Sequence, residues 1–212
     1  MSRNLSSLAL LGATLGAVAL GAACSDSSSS TGTGTGTLMV QLTDAPFSSD
    51  SVSRVDIFVV RVDAKMADSD SADAAKGATD DSASASGWTT IATPKAKIEL
   101  LALRNGVFKE LGAKSLAAGS YQSFRLVIDA SQSSVTLKNG TVLTSSSTPS
   151  VTFPSASRSG IKINLTTPLV VTAGATTTTL VDFDVNQSFV MRGATINQNG
   201  LLFKPVITAK VK

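Results

Sequence analysis

The chain has 212 residues, of which 42% are apolar, 16% charged and 5% aromatic, with a formal net charge of +3. It contains no histidine and one cysteine. Those counts exclude Ser-His-Asp and Cys-His catalysis, His-ligated zinc or iron, and any disulfide within the chain, leaving carboxylates, Lys, Tyr or a Ser-Lys pair for any chemistry.

The chain opens with Arg3 and an uncharged, mainly apolar run from Leu8 to Leu20. That run suits the core of an export signal and is shorter than the roughly 20 residues that span a bilayer. Gly21, Ala22 and Ala23 then precede Cys24. This N-terminus resembles bacterial lipoprotein signal sequences, with residues 1–23 as the signal. The resemblance implies cleavage before Cys24, a diacylglyceryl thioether on its sulfur and an acyl group on the new amino terminus. Each buried CH₂ adds about 0.8 kcal/mol, so several chains anchor stably. Ser25 follows the cysteine. By the sorting pattern of enteric lipoproteins, a residue other than Asp there implies the outer membrane where a cell has one. Residues 24–36 are rich in Ser, Thr and Gly and read as a flexible tether with a reach of roughly 20 Å.

From residue 37 the apolar pattern is that of strands. Leu38–Leu42 is a first strand, ending at Thr43-Asp44-Ala45-Pro46. Val52–Val62 is apolar on both faces, as in a central strand. An acidic stretch of Ala, Ser, Asp and Gly at about 66–87 breaks the pattern and reads as a disordered insert. A Ca²⁺ loop on Asp68, Asp70 and Asp73 is the sharper alternative, although it lacks the Gly and terminal Glu of an EF-hand. Strands resume at Trp88–Ile91. Lys97–Leu103 fits either a strand or helical turns, and Asn105-Gly106 is a tight-turn signal before Val107–Leu111. Tyr121–Asp129 alternates Phe124, Leu126 and Ile128 against Arg125, Val127 and Asp129. Ser134–Lys138, Asn139-Gly140 and Thr141–Thr144 form the clearest hairpin. Ile161–Leu165, Leu169–Thr172, Thr177–Val185, Phe189–Arg192 and Leu201–Lys212 complete the set. About ten short strands with little helix predict an all-β fold: one antiparallel β-sandwich over residues 37–212, immunoglobulin-like or transthyretin-like.

Several segments, in order, carry a further resemblance. They are Gly36-Thr37-Leu38 to Leu42 with Thr43-Asp44-Ala45-Pro46, Ile98-Glu99-Leu100-Leu101, Leu116–Tyr121 with Arg125-Leu126, Ser159-Gly160-Ile161-Lys162, Asp182-Phe183-Asp184 with Ser188, and Leu202–Ile207 around Lys204-Pro205. Together they resemble a bacterial and archaeal domain-of-unknown-function family whose first strand runs into an L-T-D-A-P motif. Its members are exported and often lipoproteins. The resemblance implies a fold and a location, and no reaction.

Alternation puts Asp182 and Asp184 on one strand face, with Asp44 at a strand end within reach. Three carboxylates can hold a hard cation such as Ca²⁺ or serve as an acid/base pair; a solvated face with an Asx turn is the plainer reading. Trp88 and Tyr121 are the candidate sugar-stacking aromatics. Residues 88–212 carry 13 Lys and Arg against five acids. The cations are spread singly along strand-like segments, which fits solvated faces rather than a nucleic-acid surface. The reading is a non-enzymatic, lipid-anchored module with no cofactor that binds an envelope protein or polysaccharide. A structural envelope protein and a carboxylate-dependent glycan hydrolase are the alternatives.

Overall fold

The computed structural model describes residues 34–45, 51–67, 87–154 and 160–212. The signal, Cys24, most of the tether and nearly all of the acidic insert lie outside the described residues. The described residues all fall within one compact unit, Thr31–Lys212. Among them 64% are strand and 9% helix.

There are thirteen described strands: β1 (Thr35–Asp44), β2 (Val52–Met66), β3 (Trp88–Ala92), β4 (Ala96–Glu99), β5 (Lys109–Ala117), β6 (Gly119–Leu137), β7 (Val142–Leu143), β8 (Val151–Thr152), β9 (Ile161–Val171), β10 (Thr176–Phe183), β11 (Phe189–Met191), β12 (Leu201–Phe203) and β13 (Ile207–Val211). A 3-10 turn at Leu100–Leu103 and two four-residue helices, α1 (Val185–Ser188) and α2 (Ile196–Asn199), complete the described elements.

The strands form three sheets. A four-stranded sheet runs β13-β10-β1-β5, a three-stranded sheet runs β11-β12-β8, and a six-stranded sheet is built on β3-β2-β6-β7, with β4 added to β2 and β9 to β6. Pairing is mostly antiparallel. Two parallel pairs depart from the all-antiparallel expectation: β1 with β10, and β12 with β8. Parallel neighbours need a long crossover, and β1 and β10 lie at opposite ends of the sequence, so no local turn signal announces them.

Local chemistry explains the element boundaries. The sequence pattern suggests two strands on either side of residue 130, but β6 is a single strand of 19 residues. The Asp129 side chain accepts hydrogen bonds from Ser131 N and Oγ and from Gln132 Nε2, and Ser133 Oγ donates to Asp129 O. Phe58 N then donates to Ser133 Oγ. These bonds satisfy the backbone across the register shift between β2 and β6, so the strand bends and continues. The Ser131 and Gln132 bonds hold the Asp129 carboxyl below its usual range. Lys97–Leu103 divides into the end of β4 and the 3-10 turn. Asn105 and Gly106 both take positive φ, as the turn signal requires. At the tether, Gly36 is already within β1: a Cβ there would lie 2.2 Å from Thr172 O. Glycine thus lets β1 approach the β9–β10 turn.

Buried apolar residues from all three sheets form one core. Leu38, Val40, Leu42, Val181 and Phe183 come from the four-stranded sheet, and Ile57, Phe124, Leu126 and Ile163 from the six-stranded one. Phe203 ties in the third sheet: its ring lies 5.1 Å from Phe153, 5.1 Å from Phe189 and 6.0 Å from Phe183. Aromatic contacts of this kind add to the large area each ring buries. Phe203→Ala is therefore expected to destabilise the domain by about 3–5 kcal/mol, and Phe203→Leu by less. Urea unfolding of both variants checks this; equal, small losses would show that the ring does not join the sheets.

Candidate functional site

The candidate carboxylates lie where β1 and β10 end. In the parallel ladder Thr43 is level with Asp182, and Asp44 with Phe183. Side chains alternate across a strand, so Asp44 leaves the sheet on the Phe183 side and Asp182 on the other. Asp44 is 3% exposed. Its Oδ1 accepts a 3.2 Å hydrogen bond from Val185 N, and its Oδ2 is buried with no partner. Asp182 Oδ1 is likewise buried and unpartnered. Asp184 does not continue the strand face. It is the N-cap of α1, where Oδ1 accepts from Gln187 N at 2.9 Å and Oδ2 accepts from Gln187 Nε2. The alternating pattern breaks because Asp-x-x-Gln is also a helix-start signal, and here it prevails.

The three carboxylates therefore do different things. Among the described residues no group of three or more acidic, His or Cys side chains is placed to hold a metal. The Asp68–Asp73 alternative lies outside the described residues. Burial, reinforced by the charges of Asp182 and Asp184, pushes the Asp44 carboxyl up to about 7, against the opposing pull of the Val185 N–H and Arg104. A protonated Asp44 loses the cost of burying a charge, and its Oδ2 is no longer an ionised acceptor left unmatched.

The other residues of the family-like segments are also engaged. Thr43 Oγ1 lies 3.0 Å from Leu103 O and 2.8 Å from Val107 O, joining β1 to the loop after the 3-10 turn. Arg125, 3% exposed, donates from Nε and Nη2 to Asp63 Oδ2 at 2.9 and 2.8 Å. Asp63 also accepts from Arg61 Nε and from Thr90 Oγ1. Gly160 lies against the Arg125 stem, where a Cβ would come within 2.8 Å of Cγ. Fully buried Ser188 accepts from Val206 N with Oγ at 2.8 Å, while its carbonyl accepts from Lys204 N at 2.7 Å.

The two candidate stacking aromatics present no open ring face. Trp88 is 6% exposed and lies under the Arg125 guanidinium, 4.8 Å from the ring centroid, with Lys65 Nζ 5.9 Å away. Tyr121 is 2% exposed and donates its hydroxyl to Ala117 O at 3.1 Å; burial pushes its phenol up. Alternation within one strand does not reveal the burial of either ring.

A recess of about 390 Å³, which no pattern in the sequence marks, lies between the β6–β7 hairpin tip and the turn that enters α2. Leu137, Asn139, Met191, Thr195, Ile196 and Asn197 line it. The Asn139-Gly140 hairpin was legible, but the segment opposite it, 194–197, shows no strong pattern.

No helix among the described residues is long and apolar enough to cross a membrane, which says nothing of a β-barrel. A family model described as a domain of unknown function (DUF4382) matches residues 35–205. No curated protein and no solved structure matches the chain.

The Asp44 shift has a definite sign. The folded carboxyl titrates near 7 and the unfolded one near 3.8. Below about pH 4 both states are protonated. Between about 4 and 7 the unfolded state ionises first, so stability falls as pH rises, by up to about 4 kcal/mol for a shift of this size. Asp44→Asn keeps an acceptor for Val185 N and removes the charge. It is expected to flatten that part of the pH–stability curve and to raise the melting temperature at pH 8. An unchanged pH dependence in the variant would show that Asp44 titrates normally.

Proposed function

The chain belongs to the DUF4382 family, a domain of unknown function, and on that premise we propose that it is a lipid-anchored envelope protein displaying a non-catalytic β-module for binding. We read its three sheets as a layered sandwich carried on the Cys24 anchor by the tether. The observation that carries the non-catalytic reading is the engagement of the polar residues in the family-like segments. Thr43, Asp44, Arg125, Asp184 and Ser188 each bind another part of the same chain. A catalytic acid or nucleophile needs reach to a substrate, and a buried Asp44 bonded to a backbone N–H has none. The buried rings of Trp88 and Tyr121 favour a protein partner over a polysaccharide. Placement at the envelope, in the outer membrane where there is one, rests on the signal-like residues 1–24.

Cell fractionation with wild type and Cys24→Ser tests the display reading. Wild type is expected in the membrane fraction and Cys24→Ser in the soluble fraction. Retention of the variant on the membrane contradicts the anchor. Turnover of a labelled polysaccharide, abolished in Asp184→Asn, contradicts the non-catalytic reading and supports the hydrolase.

A further inference from the structure

We infer that the recess between the β6–β7 hairpin tip and the α2 turn binds an extended peptide segment of a partner protein, seating one aliphatic side chain. This rests on the reading of the domain as a displayed binding module and names the chemistry that module recognises.

The recess has two kinds of surface. Its apolar part comes from Leu137, Met191 and Ile196. Leu137 is core, Ile196 packs against the core, and Met191 is 48% exposed. An unbranched thioether beside two aliphatic side chains makes an adaptable apolar surface of the kind that accepts varied aliphatic groups. Its volume lies within the range of about 300–1,000 Å³ typical of ligand pockets.

The polar part is mainly neutral amide and hydroxyl, from Ser51, Asn139, Thr195 and Asn197, with Lys138 as its one charged side chain. Asn139 Nδ2 lies 3.4 Å from Asn197 Oδ1 across the recess, a long contact that a ligand can replace. Asn139 is held in place from behind, because its Oδ1 accepts from Thr141 N at 3.0 Å. Each side-chain amide offers both donor and acceptor groups, the complement of a main-chain amide. Thr195 adds a hydroxyl on the same side.

The same lining disfavours a glycan. It includes no aromatic ring and no carboxylate. It also disfavours a cationic ligand, since its one charged side chain is Lys138 and its other polar groups are neutral. A peptide supplies what the lining matches: alternating backbone donors and acceptors and one apolar side chain.

The supporting backbone is fixed. Asn199 N donates to Thr195 O at 3.0 Å, and Gly200 N to Ile196 O at 2.9 Å. Gly193 takes φ +67°, and a Cβ there would meet the Asn199 amide at 2.8 Å. The segment opposite the hairpin is thus shaped before a ligand arrives, which lowers the ordering cost of binding.

The test is a random heptapeptide display library panned against the purified full chain in detergent, with a glycan array run in parallel. Enriched peptides are expected to share an aliphatic residue at one position. Their affinity is expected to fall at least tenfold in Asn197→Arg and in Met191→Glu, both exposed positions, with melting temperatures unchanged. No enrichment, or enriched peptides indifferent to both substitutions, overturns the inference. Oligosaccharide binding lost in Asn197→Arg also overturns it and leaves the display reading standing. Membrane retention of Cys24→Ser, by contrast, sinks the display reading and leaves the recess result intact.

Discussion

β1 lies between β10 and β5 and so ties the start of the domain to its middle and its end. Residues 35–44 pair in parallel with residues 176–183 and antiparallel with 109–117. A strand near the start of the domain therefore holds together segments from its middle and its end. Non-local pairing is entropically costly, and what offsets it is burial: Leu38, Val40 and Leu42 are at most 1% exposed. The end of β1 is then fixed by two side chains. The Thr43 hydroxyl lies between the carbonyls of Leu103, in the 3-10 turn, and Val107, in the loop after it, and Asp44 accepts from the backbone where β10 passes into α1. The L-T-D-A-P segment is in this light a joint between three parts of the chain.

A second joint acts on the six-stranded sheet. Asp63 on β2 and Arg125 on β6 are both buried, and Asp63 is matched by Arg61, Thr90 and two guanidinium bonds. Such a pair adds little net stability over apolar residues, but removing one member leaves a buried charge and costs about 3–5 kcal/mol. Trp88 closes over the guanidinium, and Gly160 leaves room for its stem. The polar residues that stand out in the sequence are thus bonded to other groups of the same chain.

Much of the fold is legible in the sequence, and the losses have physical causes. Alternation finds β2, most of β6, β9 and β10, because those strands each bury one or both faces. The Asn139-Gly140 hairpin is legible because only a few residues accept the required backbone. Alternation cannot see that β1 and β10 are parallel neighbours, since partner choice across 140 residues is a tertiary property. It also carries Asp184 one place too far along a strand: local capping by Asp184 prevails over the period-two pattern at Val185. Trp88 and Tyr121 look available in the sequence because burial by other strands is not a local signal. The recess was invisible for the same reason, its two walls being separated by more than fifty residues.

On the proposed reading the carboxylate of the first-strand motif is a structural tie between β1 and the segment after β10. Amide hydrogen exchange at Val185, compared with Leu126 in the core, measures it directly in wild type and Asp44→Ala. Loss of a buried acceptor costs about 1–3 kcal/mol. Exchange at Val185 is expected to quicken at least tenfold more than at Leu126. An equal change at both sites, or none at Val185, would contradict it.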